Sequence, residues 1–172
     1  QGALFANDAY YLSGSNDRNP QIYVLNLDGE VIDQYDQPGD LEGSYGYKDL
    51  AFDGELIWSG SGSIIYGFTP EGELSVSFEG PFNPNNNLAW DRDRELLWVS
   101  STTSDIVGLN RNGEAMTILD RQSLRIYGLA YWPFDPDGFN LYIFHKDGNV
   151  ADQIVTKMNT ENGDTMHVAI LE

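Results

Sequence analysis

Three short stretches of the chain hold side chains that could recognise a polar molecule. The first is Tyr45, Tyr47, Lys48 and Asp49, the second is Asn86 with Asn87, and the third is Arg125 with Tyr127. Amides, a carboxylate and two cations supply directional hydrogen bonds, and tyrosine rings supply flat faces for stacking. That mixture suits a polar ligand such as a glycan better than it suits bond-breaking chemistry. Of the two histidines, His145 can join the set, whereas His167 lies in the last apolar stretch of the chain. The expected ligand-binding residues are therefore Tyr45, Tyr47, Lys48, Asp49, Asn86, Asn87, Arg125, Tyr127 and His145. The plainer alternative is that the same residue types cap loops around a water-filled opening.

Catalytic and metal-binding sets are harder to assemble. The chain has no Cys, so disulfides, thiolate metal sites and a cysteine nucleophile are excluded. The run Ser59-Gly60-Ser61-Gly62-Ser63 is followed by no helical pattern, so it is not a nucleophile elbow. Asp135-Pro136-Asp137-Gly138-Phe139-Asn140 has the look of a calcium loop but lacks the distal bidentate Glu, and reads first as a turn. Asp147-Gly148-Asn149 with Asp152 reads the same way. Asp91-Arg92-Asp93-Arg94 alternates in charge and reads as a solvated turn. No catalytic residue and no cofactor are expected, with calcium the one alternative these loops leave open.

Charge narrows the partners. Nine basic residues stand against 27 acidic ones, a net of −18. A surface so acidic lacks the basic footprint that nucleic acid or anionic lipid requires. A cation or a neutral polysaccharide is expected ahead of an anionic polymer, with Lys48 and Arg125 leaving room for one acidic group on the ligand. No apolar run approaches the length of a membrane span, and no secretory leader is visible.

The elements that must position these residues are read from an internal repeat. Ala3–Gly14 overlays Asp49–Gly60 without a gap at an offset of 46 residues. Asn87-Leu88-Ala89-Trp90-Asp91 with Leu96-Leu97-Trp98-Val99-Ser100 is a third copy, and Gly128-Leu129-Ala130-Tyr131 with Leu141-Tyr142-Ile143-Phe144 is a fourth. The second half of each unit repeats too. Ile22-Tyr23-Val24-Leu25-Asn26-Leu27-Asp28-Gly29-Glu30 matches runs starting at Ile65 and Ile106 and, more loosely, at Ile154. A further short apolar stretch closes each unit. Every unit thus reads as four strands, β-branched and aromatic, joined by Gly, Asn, Asp and Pro turns. The average unit is about 43 residues, the size of a β-propeller blade.

The expected fold is therefore all-β and β-propeller-like. Four four-stranded blades at about 3–35, 47–78, 86–119 and 127–171 form a single domain over 1–172. A closed four-bladed ring, half of a dimeric ring and a piece of a larger propeller are all compatible with four repeats. Leu50, Leu88 and Leu129 are expected in the core, and Trp58 and Trp98 between blades. The candidate ligand residues fall at the entries of the first strands, on the loop-rich face of such a fold.

The pattern Leu-Ala-Phe/Trp-Asp, then Leu-Trp, then Ile-Tyr-x-Leu/Phe-x-x-x-Gly-Glu resembles the blades of secreted bacterial propellers. These are related to NHL-type repeats and to the virginiamycin B lyase fold, as in sorting-domain-bearing proteins of Bacteroidetes-type bacteria. The resemblance spans about residues 3–171 and is specific for fold. The residues, rather than the resemblance, point to a non-enzymatic binding or scaffold module for a glycan or protein, and the resemblance implies a secreted or cell-surface location. It also implies other domains in a longer chain, or a homodimer. The alternative is a hydrolase or lyase acting on a polysaccharide or ester through channel carboxylates. Lyase chemistry of the virginiamycin type needs a histidine on a first strand, and this sequence has none there.

Overall fold

A computed structural model describes residues 2–44, 46–146 and 153–171. They form sixteen strands and no helix, in four antiparallel sheets of four sequential strands. The first sheet is β1 (Ala3–Ala6), β2 (Ala9–Asn16), β3 (Asn19–Leu25) and β4 (Val31–Asp36). The second is β5 (Ala51–Phe52), β6 (Ile57–Ser61), β7 (Ile64–Phe68) and β8 (Leu74–Glu79). The third is β9 (Asn87–Asp91), β10 (Leu96–Ser100), β11 (Ile106–Leu109) and β12 (Ala115–Leu119). The fourth is β13 (Arg125–Tyr131), β14 (Leu141–Lys146), β15 (Gln153–Met158) and β16 (Thr165–Leu171). The all-β class and the four four-stranded blades are those expected from the repeat. Blade 2 opens later than expected, because residues 47–50 precede β5 rather than forming part of it.

The chain divides into two compact units, Gln1–Asn85 with blades 1 and 2 and Asn86–Glu172 with blades 3 and 4. In the first unit, Tyr11, Ile22 and Val24 of blade 1 join Leu50, Ile57, Tyr66 and Phe68 in one buried cluster. In the second, Ala89, Leu96, Trp98 and Ile106 of blade 3 join Ile126, Leu129, Leu141, Ile143 and Met158. Leu50, Leu88 and Leu129 are all buried. Burying each such side chain contributes about 1.5–3 kcal/mol. Burial falls off toward the fourth strands: every residue of β9, β10 and β11 is buried, whereas β4 and β16 are almost wholly exposed.

Two local devices recur and set the geometry. The turn from third to fourth strand is closed by Asn26, Thr69, Asn110 or Asn159. In blades 1 and 3 the Asn Oδ1 accepts backbone N–H groups two and four residues on, and its Nδ2 donates to Glu30 or Glu114. A glycine in the left-handed region follows each time, at Gly29, Gly72, Gly113 and Gly163, where a Cβ would be strained. The second device closes the turn from first to second strand in blades 2, 3 and 4. Asp53 Oδ1 accepts from the backbone of Glu55 and Leu56, and its Oδ2 accepts from Trp58 Nε1 at 2.9 Å. Asp91 does the same for Asp93, Arg94 and Trp98, and Asp135 for Asp137, Phe139 and the Tyr142 hydroxyl. Each indole lies over a glycine of its own sheet: a Cβ on Gly67 or Gly108 would come within 2.9 Å of the Trp58 or Trp98 ring.

This device corrects the reading of Asp91-Arg92-Asp93-Arg94 as a solvated turn. Asp91 is fully buried, because its carboxylate satisfies two turn amides and an indole N–H. The turn reading of Asp135–Asn140 holds, with an addition. Lys157 Nζ lies 3.2 and 3.0 Å from the two Asp135 oxygens and also bonds Asp137, so a protein ammonium sits between these carboxylates.

Candidate functional site

In the first unit the segment from Gln37 to Leu50 joins β4 to β5, and buried side chains fasten it. Gln37 Nε2 donates to the carbonyls of Gly14 and Gln21, and its Oε1 accepts from the Tyr47 N–H at 2.7 Å. Tyr47 is fully buried, stacks on Phe68 with centroids 5.6 Å apart, and donates its hydroxyl to the Pro38 carbonyl. Burial, above all, pushes its ionisation far upward, so it stays a neutral donor. The structure thus places Tyr47 among packing residues. Lys48 is exposed, and Asp49 is half-buried, with its backbone carbonyl accepting from Ser59 Oγ. Tyr45 lies outside the described residues.

In the second unit the remaining candidates meet at the end of blades 3 and 4 where β9 and β13 begin. Asn86 donates its backbone N–H to the Ser100 carbonyl at 3.0 Å. Asn87 is buried, and its Nδ2 donates to Ser100 Oγ at 3.2 Å and to the Ile126 carbonyl at 3.4 Å. That amide ties β10 to β13 across the two blades. The backbone adds a parallel tie, Ile126 N–H to the Thr102 carbonyl at 3.0 Å. His145 is buried on β14, with Nε2 2.8 Å from Thr156 Oγ1 of β15. Its ring is therefore engaged within the sheet. Asn87 and His145 support this rim from beneath.

What the rim presents outward is Arg125 and Tyr127. Arg125 is exposed at the start of β13 and pairs in register with Lys146 at the end of β14. Ile126 pairs with His145 and Gly128 with Phe144, so Tyr127 is the extra residue of a β-bulge. No register shift interrupts the first-to-second strand pairing of the other three blades. A bulge bends its strand and re-aims a side chain. Here it leaves Tyr127 42 % exposed, with Lys146 Nζ 5.5 Å from the ring centroid. Lys146, one of the nine basic side chains of a strongly acidic chain, thus lies over a half-exposed ring, and Arg125 is its partner across the strand pair. Sequence reasoning missed Lys146. The available signal was its place as the last residue of a strand that must pair with Arg125.

Among the described residues no group of three or more His, Asp and Glu side chains is arranged to hold a metal ion. The second loop considered for calcium, Asp147-Gly148-Asn149 with Asp152, lies outside the described residues. Among the described residues no helix is long and apolar enough to cross a membrane.

No protein-family model matches the chain, and no curated protein matches it by sequence. Solved structures do match. One is glutaminyl cyclase from Myxococcus xanthus, at a TM-score of 0.68 and 14 % identity over 95 % of this chain. The chain spans 66 % of that enzyme's length. At this identity the likeness is one of backbone, and it supports a β-propeller fold for the four-bladed chain described above.

Proposed function

We propose that this chain is a binding module of a secreted or cell-surface bacterial protein, and that its ligand is a glycan carrying an acidic group. The observation that carries the reading is the bulge at Tyr127, which leaves an aromatic ring exposed with Lys146 over it and Arg125 paired to Lys146 across the strands. An exposed aromatic ring packs against the C–H face of a sugar ring, and the ammonium beside it favours a carboxylate on that sugar. The ties through Asn87 and Ile126 hold the rim in one geometry, which lowers the ordering cost of binding. The test is a glycan array that includes otherwise neutral oligosaccharides bearing a single uronic acid, followed by calorimetry on the strongest hit. Tyr127→Ala and Arg125→Ala should each weaken binding about tenfold or more, with unchanged thermal melts. Binding that is indifferent to both substitutions would overturn the assignment.

A second reading is catalytic, and the enzyme among the structural neighbours favours it. It requires turnover. Cyclisation of a glutaminyl peptide, or cleavage of a polysaccharide, that is lost on changing Asp49 or His145 would replace the binding reading.

A further inference from the structure

The other end of the second unit holds a cavity of about 270 Å³. Its walls include Asp93 and Arg94 of the β9–β10 turn, Tyr131 at the end of β13, and Asn140 before β14, with Thr160 and Glu161 of the β15–β16 turn. Tyr131 ends the strand that Arg125 begins, so this cavity is separate from the Tyr127 rim.

The walls are braced before any ligand arrives. Arg94 Nη1 donates to the Thr160 carbonyl at 2.6 Å, and Nη2 lies 3.5 Å from Glu161 Oε1. The Tyr131 hydroxyl donates to Asp93 Oδ2 at 3.0 Å, and Asn159 Nδ2 donates to the Gly138 carbonyl at 3.0 Å. Burial, with Asp91 and Asp93 nearby, raises the Tyr131 ionisation, so the phenol stays protonated and keeps that bond. Three turns from two blades are thereby held in one arrangement.

Several wall groups still have hydrogen-bonding capacity. Thr160 is 7 % exposed, and among the described residues its hydroxyl has no protein partner. Asn140 spends its Nδ2 hydrogens on the carbonyls of Trp132 and Pro133, and its Oδ1 accepts nothing from the described residues. The Asp93 and Glu161 carboxylates have more acceptor sites than their described bonds use. A wall so rich in acceptors calls for a solute rich in donors. An anion is disfavoured because two carboxylates face one guanidinium already shared with Glu161 and Thr160. A metal ion is disfavoured because no three ligating side chains converge there among the described residues. The volume lies just under the range of about 300–1,000 Å³ that suits drug-sized ligands, and so fits one ring rather than a chain.

We propose that this cavity binds a single neutral polyol of the size of one hexose, through the Thr160 hydroxyl, the Asn140 amide oxygen and the Glu161 carboxylate. Each ligand hydroxyl would donate to a wall oxygen and accept from Thr160 or the Arg94 guanidinium. The test is saturation-transfer NMR with the methyl glycosides of glucose, galactose and mannose, and with glucuronate. It is run on the Tyr127→Ala protein so that the distant rim does not contribute. At least one hexoside should show transfer at millimolar concentration, and glucuronate should bind more weakly. Thr160→Val should weaken the hexoside about tenfold, and Thr160→Ser should restore it. Should Thr160→Val melt early, the exposed Glu161→Gln serves instead, weakening the hexoside and narrowing its advantage over glucuronate. Absence of transfer from all three hexosides, or transfer unchanged in the folded variants, would overturn the site. Failure of the Tyr127 reading would leave it standing.

Discussion

Blades 3 and 4 close the same turn around a buried carboxylate, and they neutralise it differently. In blade 3, Asp91 accepts from two backbone N–H groups and the Trp98 indole, with no cation among its described bonds. In blade 4, a tyrosine takes the place of the tryptophan, a longer loop takes the place of the short turn, and Lys157 enters from β15. Where blade 3 has Gly108 facing Trp98 across the strand pair, blade 4 has Lys157 facing Tyr142. The glycine makes room for an indole, and the smaller phenol makes room for an ammonium. Three neutral donors suffice for a short turn; the longer loop adds an ion pair to fasten Asp137 as well.

The comparison can be broken most severely at Trp98. Trp98→Ala removes a fully buried ring and its bond to Asp91, and is expected to cost about 3–5 kcal/mol, read as a lower urea midpoint with an unchanged slope. A smaller change sets the two carboxylates side by side. Asp91→Asn points amide hydrogens at the indole N–H or at the turn amides, and should cost about 1–3 kcal/mol by denaturant titration. The same change at Asp135 should also break the pairing with Lys157, so the Asp135 variant should lose more stability than the Asp91 variant in the same titration.

The smallest expected effect concerns pH. Burial raises the Asp135 carboxyl, but the bonds from Tyr142, Lys157 and the amides of Phe139 and Asp137 outweigh that and hold it at about 2. A carboxyl titrating lower in the folded than in the unfolded chain stabilises fully above its ordinary value of 3.8, and that contribution is lost as pH falls toward about 2. Melting temperatures of the parent and of Asp135→Asn should therefore converge across that window. Parallel curves would show that Asp135 is not the group responsible.

Much of the fold was legible because each blade repeats one local solution. Leu88 and Leu129 could be placed in the core from the spacing of Leu-Ala-aromatic alone, and the glycine turns carried their own signature. Asp91 was misread because alternating charge is normally a mark of solvated surface. The corrective signal lay in the repeat itself, where an aspartate precedes a tryptophan by a short interval in blades 2 and 3. The site was less legible. Residues 37–50 have no periodicity, so nothing separated the buried Tyr47 from an exposed ring. The bulge at Tyr127 is a property of strand pairing and leaves no mark in the sequence beyond the neighbouring glycine.

The clasp between aspartate and aromatic also bears on how the chain acquires its shape. Its partners are only five residues apart in blade 2 and seven in blades 3 and 4. Closing so short a loop costs little chain entropy, and contacts of low sequence separation form fast. Each of these hairpins can therefore lock before any neighbouring sheet has arrived to bury it. The indole N–H of Trp58 and Trp98 would then resist hydrogen exchange early in refolding. Blade 1 turns through Asn7 and Asp8 and has no such clasp among the described bonds, so its first hairpin would gain protection only once blade 2 packs against it.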